Sequence, residues 1–286
     1  FFENQSPIAQ WDTKNPWLMT KNSEKESARV KLLSFLRQLY YVGIKEDLWF
    51  VASNQGLLQM QLGKWEYGFS TWKKAISVQP QTEDANRAMG LMLEHLTATQ
   101  EWGWLEGVAT LSIELNVKPI GVQGNSLDIL ESHRKALFNV SMQLMKEHKY
   151  EGAITRLKLL KKKYKNVPEF PNYVHQLAIC FRAKGDYEQT LGQLLLAIEI
   201  PTPLSIYPQA HLELANLYLG MAEVNKASQI YQKFLKEFPH HPDRIKTILD
   251  LVELYQSQGD QQAINNLWSF VDLEKVEWDK GRNALV

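Results

Sequence analysis

The chain has 286 residues, 44% hydrophobic and 22% charged, and 32 lysine and arginine residues balance 32 aspartate and glutamate residues. A formal net charge of zero gives no overall field to attract nucleic acid or a membrane surface, so no nucleic-acid partner is expected. No apolar run approaches the roughly 20 residues of a membrane-spanning helix, so we predict no transmembrane segment in this chain. The composition is that of a globular protein with one elongated domain or two compact ones.

The termini and the cysteine content bear on the compartment. The single cysteine, Cys180, excludes an intrachain disulfide and lies in an apolar helical pattern, which predicts a buried and unreactive thiol. One cysteine fits either the cytoplasm or the periplasm. Because the sequence begins at Phe1 rather than at methionine, we expect a segment upstream of it, such as a signal peptide, a membrane anchor or further repeats.

Residues 1–22 are rich in aromatic residues and proline and have no helical period. This pattern predicts an extended arm that packs along the helices after it, because so many aromatic side chains are costly to leave in water. Apolar residues at helical spacing then predict a helix that begins near Ser23 and ends near Gly43.

Two irregular helix pairs are predicted next. Residues 47–79 form the first pair, with a turn at Gly63-Lys64 and close backbone approach at Gly56 and Gly68. Residues 83–116 form a looser second pair, and the proline and glycines after it predict a break. We therefore predict irregular N-terminal repeats over 23–118, a linker over 119–127 and a regular array with a C-terminal cap over 128–286.

The array consists of one helix–turn–helix pattern written four times at a spacing of 37 residues. Corresponding positions include Ala153, Thr190, Ala227 and Ile264, and also Leu144, Phe181, Tyr218 and Tyr255. Glycines in three of the four turns predict a backbone with positive φ at the end of the first helix, here called helix A, before helix B. A fixed period between about 20 and 50 residues is typical of stacked repeats, each of which buries its apolar face against its neighbours. The prediction is an all-α solenoid of about six antiparallel helix pairs.

A known motif lies within this period. Ala227 and Tyr231 have the spacing A-x3-Y, Pro239 follows eight residues later, and residues 214–218 read L-A-x2-Y. The array resembles the tetratricopeptide repeat, whose pattern is W-x2-L-G-x2-Y, then A-x3-F, then P. The resemblance is good over 134–271, fair over 47–80 and weak elsewhere. It implies a right-handed superhelix. The usual tryptophan of helix A is replaced here by Leu137, Val174, His211 and Ile248.

The length of the repeat and the sequence of one connection between repeats indicate a particular group within this family. With 37 residues rather than the usual 34 or so, and with the junction 238–242, the array is similar to the repeats of bacterial envelope proteins such as outer-membrane assembly lipoproteins. This resemblance implies a periplasmic or membrane-anchored location in the cell envelope, with the cytoplasm as the alternative.

The resemblance further implies that a partner binds in a concave groove lined by the helix-A residues. The positions that this assigns to the groove are Lys135, Phe138, Met142, Met145, Asn172, His175, Ile179, Arg182, Gln209, Leu212, Asn216, Leu219, Lys246, Leu249, Glu253 and Gln256. Apolar, methionine-containing side chains come first and polar ones follow. The first part is expected to accept an apolar segment, either from a partner or from the chain's own residues 83–116.

Several residue patterns point away from other functions. Co-chaperones of this family use a Lys/Asn pair one turn apart on helix A to grip a terminal carboxylate, and no repeat here has that pair. There is no G-x-S-x-G motif, P-loop, dinucleotide fingerprint or paired acid/base motif, so we predict neither an enzyme nor a cofactor or metal. The His240-His241 pair lacks a third ligand at metal spacing and is expected in an exposed loop.

Two further features leave alternatives open. The basic run over residues 156–165 favours a solvated outer face, and binding of an anionic lipid, polysaccharide or nucleic acid is the alternative. Trp102 and Trp104 favour buried packing, with stacking on a sugar or a proline-rich peptide as the alternative. The sequence therefore predicts a non-catalytic scaffold for a protein or peptide in cell-envelope assembly, secretion or pilus biogenesis. A polysaccharide-handling solenoid of an exopolysaccharide export system and a cytoplasmic peptide-sensing regulator are the alternatives.

Overall fold

The computed structural model describes residues 52, 55–56, 58–60, 62–200 and 206–270. The predicted arm over 1–22, the helix over 23–43 and the C-terminal cap beyond residue 270 lie outside these residues. The described part contains no β-strand, which confirms the all-α prediction. It contains eleven α-helices and a 3-10 helix: α1 Trp65–Val78, α2 Glu83–Ala98, α3 Trp102–Glu114, α4 Ile129–Lys146, α5 Tyr150–Lys163, α6 Phe170–Ala183, α7 Tyr187–Glu199, α8 Ile206–Gly220, α9 Val224–Glu237, α10 Arg244–Gln258, α11 Gln261–Leu267 and the 3-10 helix Trp268–Phe270.

The chain divides into two compact units, Phe1–Gln143 and Leu144–Val286. In the first unit α1 packs on α2 and α2 packs on α3. Their core contains the fully buried side chains of Trp72, Met89 and Leu105. Close approach at two glycines is confirmed: a Cβ atom at Gly56 would overlap the Trp72 ring, and one at Gly68 would lie 2.8 Å from the carbonyl oxygen of Gly56. The small residues thus let neighbouring backbones come into contact.

The segment predicted as a linker lies within the first unit, packed on α2. The backbone N–H of Ile120 donates to the carbonyl oxygen of Asn86 at 3.0 Å, and the N–H of Val122 donates to Oε2 of Glu94 at 2.9 Å. Gly90 on α2 lies against the backbone of Ile120, and a Cβ atom at Gly90 would overlap the Ile120 carbonyl group. A composition rich in proline and glycine marks this segment as non-helical, but its hydrogen bonds show that it is a fixed part of the unit.

The second unit is a series of helices in which each one packs on the next. Contacts run in order from α5 to α11, and α6 also contacts α8. The described residues include an apolar cluster that contains Val174, Leu194 and Leu214, and another that contains Phe234 and Leu251. Sequential packing of this kind is the architecture expected of stacked helical repeats.

The 37-residue period is visible in the backbone of the second unit. The residues at the end of helix A with positive φ are His148, Gly185, Ala222 and Gly259, with values of 58, 77, 59 and 71°. After each of them the next N–H donates to a carbonyl five residues back, at 2.8, 3.0, 2.8 and 3.0 Å, the acceptors being Leu144, Phe181, Tyr218 and Tyr255. This hydrogen bond closes a Schellman motif and satisfies a carbonyl at the helix end.

In one turn that contains a glycine, the residue with positive φ is not the glycine. In the third turn the left-handed residue is Ala222, whereas Gly220 is still helical. The same helix end also occurs in the first unit, at Gly63 and Gln100, which are themselves 37 residues apart. The N-terminal pairs are therefore more regular than their sequence predicts, and the extra length falls between Gln100 and His148.

Replacing Ala222 by glycine is expected to stabilise the second unit by about 0.5–1 kcal/mol. An alanine in the left-handed region costs about 1–2 kcal/mol, and glycine removes this cost while losing about 0.5–1 kcal/mol to the greater entropy of the unfolded chain. Urea denaturation followed by circular dichroism measures the difference. Ala183→Gly, at an exposed helical position of α6, is the matched control and should lower stability. Equal losses in both variants would contradict the reading of this turn.

His211, a fully buried histidine of the second unit, links stability to pH. His211 has no exposed surface, its Nδ1 lies 2.9 Å from the carbonyl oxygen of Tyr207, and its ring packs edge-on against Tyr207 and Phe238. Burial lowers the pKa of His211, and the charge of Lys233 lowers it further, against the opposing effects of the Tyr207 carbonyl and the Glu237 carboxylate. The folded protein therefore holds this imidazole neutral.

Acid is expected to destabilise the second unit through His211. Because the pKa in the folded state lies below the unfolded value of 6.5, the unfolded chain binds the proton more readily. Stability is full above that value and falls as the pH drops from 6.5 towards the folded pKa. Urea denaturation at several pH values should show a shallower slope in His211→Phe, which keeps an aromatic ring but cannot titrate. An unchanged slope in this variant would contradict the assignment.

Candidate partner-binding surface

The predicted groove residues of the first unit lie on α4 and are partly accessible. Lys135 is exposed and its Nζ pairs with Oε1 of Glu131 at 2.6 Å, one turn earlier. Phe138 and Met142 are half-buried. In the second unit Met145, at the end of the same helix, is also half-buried. Each unit therefore offers methionine at an accessible position of helix A.

On α6 one of the four predicted groove positions is not at the surface. Asn172 and Ile179 are half-buried and Arg182 is exposed, but His175 has only 2% of its surface accessible. The side chain of His175 instead lies against α8, where its Nε2 is 3.2 Å from Oε1 of Glu213. His175 is therefore buried rather than at the surface where its groove position was predicted, and it contacts Glu213 instead.

The positions on α8 and α10 combine exposed polar groups with apolar side chains. Gln209 and Asn216 are exposed, while Leu212 and Leu219 are half-buried because they also pack on the core cluster around Phe234. All four positions on α10 are exposed: Lys246, Leu249, Glu253 and Gln256.

A pocket of about 350 Å³ lies on this surface of the second unit. It brings together two of the predicted groove residues, Arg182 and Asn216. The other lining residues were not predicted, and they are Tyr187, Glu213, Leu217, Gly220 and Met221. The pocket is lined by Arg182 at the end of α6, Tyr187 at the start of α7 and residues 213–221 in the second half of α8 and just after it, so it forms where two neighbouring repeats meet. Tyr187 and Met221 have 57% and 46% of their surface exposed, which is high for such apolar groups.

The carboxylate of Glu213 forms the charged wall of the pocket. Its side chain is 13% exposed, and Oε2 lies 3.5 Å from Nη1 of Arg182. Gln209 donates to Oε1 at 3.2 Å, whereas the nearby N–H of His175 is not aligned for a hydrogen bond. Burial by itself raises the pKa of Glu213. The neighbouring His175, Arg182 and Gln209 outweigh burial and bring this pKa below its ordinary value, so Glu213 is ionised at neutral pH.

A hydrogen bond from a buried tyrosine fixes the orientation of the Asn216 side-chain amide. The hydroxyl of Tyr231 donates to Oδ1 of Asn216 at 2.6 Å. Tyr231 itself is 2% exposed, and burial together with the nearby charge of Asp250 raises its pKa to about 12, so this hydroxyl keeps its proton. The other end of the Asn216 amide, Nδ2, makes no hydrogen bond within the described residues, and it is a donor available at the pocket.

The cysteine, one histidine of the His240-His241 pair and the two tryptophans discussed above lie outside the pocket. Cys180 is buried, as predicted, and burial raises the pKa of its thiol to about 11. The ring of His241 packs on Phe234 at 5.2 Å between centroids. Trp102 packs against the first core, while Trp104 remains 37% exposed, so only the first of this pair is mainly structural.

Most of the basic run lies on α5, and part of it is exposed. Lys158, Lys162 and Lys163 are exposed, and none of them pairs with a carboxylate of the described chain. Lys161 is half-buried and its Nζ donates to Oε1 of Gln193 at 2.8 Å. Burial lowers the pKa of Lys161, and the charge of Lys165 lowers it further.

Among the described residues no helix is both long and apolar enough to cross a bilayer. The same part of the chain holds no group of three His, Cys, Asp or Glu side chains placed to bind a metal ion.

The helix pairs of the second unit define a class, the stacked helical-hairpin proteins, and one pair matches a family within it. Residues 209–241, which include α8 from Gln209 onward and all of α9, match the tetratricopeptide repeat. The chain therefore contains a tetratricopeptide repeat, and this confirms the prediction made from Ala227, Tyr231 and Pro239.

Several solved structures are similar to the chain. PilF of Pseudomonas aeruginosa is 16% identical over 90% of this chain and 99% of that chain, with a TM-score of 0.40. PilW, a widely conserved type IV pilus biogenesis factor, is 11% identical over 82% and 97%, with a TM-score of 0.39. The apo form of RapI is 15% identical over 90% and 73%, with a TM-score of 0.44. No curated protein matches the chain. Likeness at this level assigns neither a partner nor a process.

Proposed function

We propose that this chain is a non-catalytic scaffold that binds a protein or peptide partner through the helix-A surface of its second unit. The observation that carries the proposal is the pocket between neighbouring repeats, where exposed apolar groups, an ion pair and an available amide donor occur together. Such a mixture of apolar contact with a few fixed polar groups is typical of a surface that recognises a peptide.

The exposure of single side chains supports the same surface. Leu249 on α10 is 39% exposed and lies one repeat after Leu212, so the apolar character continues along helix A. Tyr187 and Met221 are more exposed still. Burying apolar surface contributes about 25 cal/mol per Å², so these groups favour association with a partner.

The biological setting is proposed from the sequence. The 37-residue period and the junction at 238–242 are similar to those of bacterial envelope proteins, and we propose cell-envelope assembly, secretion or pilus biogenesis as the process. The location proposed with it is the periplasm or a membrane-anchored site in the envelope.

Site-specific photo-crosslinking in the organism that makes the protein tests the binding surface. A p-benzoylphenylalanine at Leu249 is expected to give a discrete adduct that protease digests, because the partner is a protein. The matched control is the same residue at Lys162, which is exposed on helix B of the first array repeat and should give none. An adduct at Lys162 alone would move the binding surface to the basic run, and an adduct resistant to protease would favour a polysaccharide partner.

A further inference from the structure

We propose that the pocket lined by Arg182, Tyr187, Asn216 and Met221 receives a neutral aromatic side chain of the partner, and that the Asn216 amide binds the adjacent backbone carbonyl. This inference rests on the proposed function and specifies the chemistry of the segment that is bound. It follows from three properties of the pocket: its hydrogen-bonding group, its charge and its apolar walls.

The hydrogen-bonding group is a donor. Tyr231 occupies the Oδ1 atom of Asn216 at 2.6 Å, so the amide presents Nδ2 to the pocket. A donor that loses water on binding must be given an acceptor, because a buried polar group without a partner lowers the affinity. The acceptor that every extended peptide carries beside its side chains is the backbone carbonyl.

The charge of the pocket disfavours ionised ligands. Arg182 and Glu213 are 3.5 Å apart and neutralise each other. Because each of these charges is already paired, a carboxylate or an ammonium group of the partner would lose water without gaining a free counter-charge. A neutral side chain therefore fits best.

The walls favour an aromatic ring over an aliphatic chain. Met221 provides a flexible thioether, which makes favourable contacts with aromatic rings. The guanidinium of Arg182 and the ring of Tyr187 provide flat surfaces for stacking. A volume of about 350 Å³ accommodates one large side chain with part of its backbone.

Methyl NMR on the full chain tests the inference with three defined probes. With methionine labelled as [13C-methyl], the chain gives seven methyl signals, and Met221→Leu identifies that of Met221. N-acetyl-phenylalaninamide is expected to shift this signal, while Met92, buried in the first unit, stays unchanged. N-acetyl-leucinamide, which lacks the ring, and N-acetyl-phenylalanine, which carries a carboxylate, should bind about tenfold more weakly, a difference of about 1.4 kcal/mol.

Two variants test the assigned roles. Asn216→Asp keeps the acceptor for Tyr231 but replaces the donor by a carboxylate, so the amide probe should lose about tenfold in affinity; Asn225→Asp, exposed at the start of α9, is the matched control. Glu213→Gln removes the charge that pairs with Arg182 and should strengthen binding of N-acetyl-phenylalanine. Circular dichroism checks that each variant is folded.

The inference is overturned if the Met221 signal does not move with N-acetyl-phenylalaninamide up to its solubility limit. It is also overturned if the three probes bind equally, or if Glu213→Gln leaves binding of the acid probe unchanged. These outcomes are distinct from failure of the proposed function: an adduct at Leu249 without probe binding removes the aromatic pocket alone. Absence of any adduct at Leu249 removes the proposed surface as well.

Discussion

Replacing Gly90 by alanine is expected to destabilise the first unit by about 2–3 kcal/mol, as overpacking of a buried site commonly does. The new Cβ atom would overlap the carbonyl oxygen of Ile120 and lie 2.5 Å from its carbonyl carbon. Both are backbone atoms, and the segment cannot move away freely because Ile120 is hydrogen-bonded to Asn86 and Val122 to Glu94. The helix-forming advantage of alanine, about 1 kcal/mol, is already included in this net loss.

The matched control is Gly107→Ala in α3 of the same unit. Gly107 is exposed and helical, and an added Cβ atom would have no neighbour within 4 Å. Stability should therefore rise by about 0.5–1 kcal/mol, because alanine loses less entropy on folding. Urea denaturation followed by circular dichroism measures both variants. A loss at Gly107 comparable to that at Gly90 would show that the contact with Ile120 is not what makes the Gly90 substitution destabilising.

Phe234→Ala is expected to cost the second unit about 3–5 kcal/mol, the usual range for removing a buried aromatic ring. Phe234 has no exposed surface and packs between layers of the repeats. Its ring centroid lies 5.3 Å from that of Phe238 and 5.2 Å from that of His241. The cavity left by alanine would adjoin the junction between α9 and α10, which Phe238 and His241 help to form.

Thermal unfolding of Phe234→Ala should show a lower Tm, and Trp268→Ala provides the control. Trp268 is a larger aromatic residue but is 58% exposed, so its loss should change stability by no more than about 0.5 kcal/mol. Equal effects of the two substitutions would mean that aromatic content, rather than burial, sets the stability of this unit.

Periodicity in the sequence predicts the fold well because it reflects a local constraint repeated at one interval. The residues at Leu144, Phe181, Tyr218 and Tyr255 form a column in the sequence and accept the same hydrogen bond in the structure. The repeats of the first unit are harder to predict from the sequence, because an inserted segment separates their turns, at Gly63 and Gln100, from the array. That segment is held by side chains and carbonyls of α2, which composition does not reveal.

The candidate site is only partly predictable from residue positions. Counting along helix A found Arg182 and Asn216, which line the pocket, but it also assigned His175 to the surface, where it is not. A helical position one residue from a groove position differs by about 100° in direction, so small shifts in register change which side chains are exposed. Tyr187 and Met221 were missed because they lie at the ends of helices, on either side of the A-to-B turns.

The left-handed residues at His148, Gly185, Ala222 and Gly259 also have a consequence for how such a chain changes its length. In each hairpin the same Schellman motif joins helix A to helix B. Any variation in repeat length must therefore fall in the connections between hairpins. The hairpins are therefore equivalent in structure. A deletion that runs from one of these four residues to another removes a whole number of 37-residue repeats. Duplication or deletion at these points preserves the way each layer meets the next, which gives the protein a simple route to a longer or shorter binding surface.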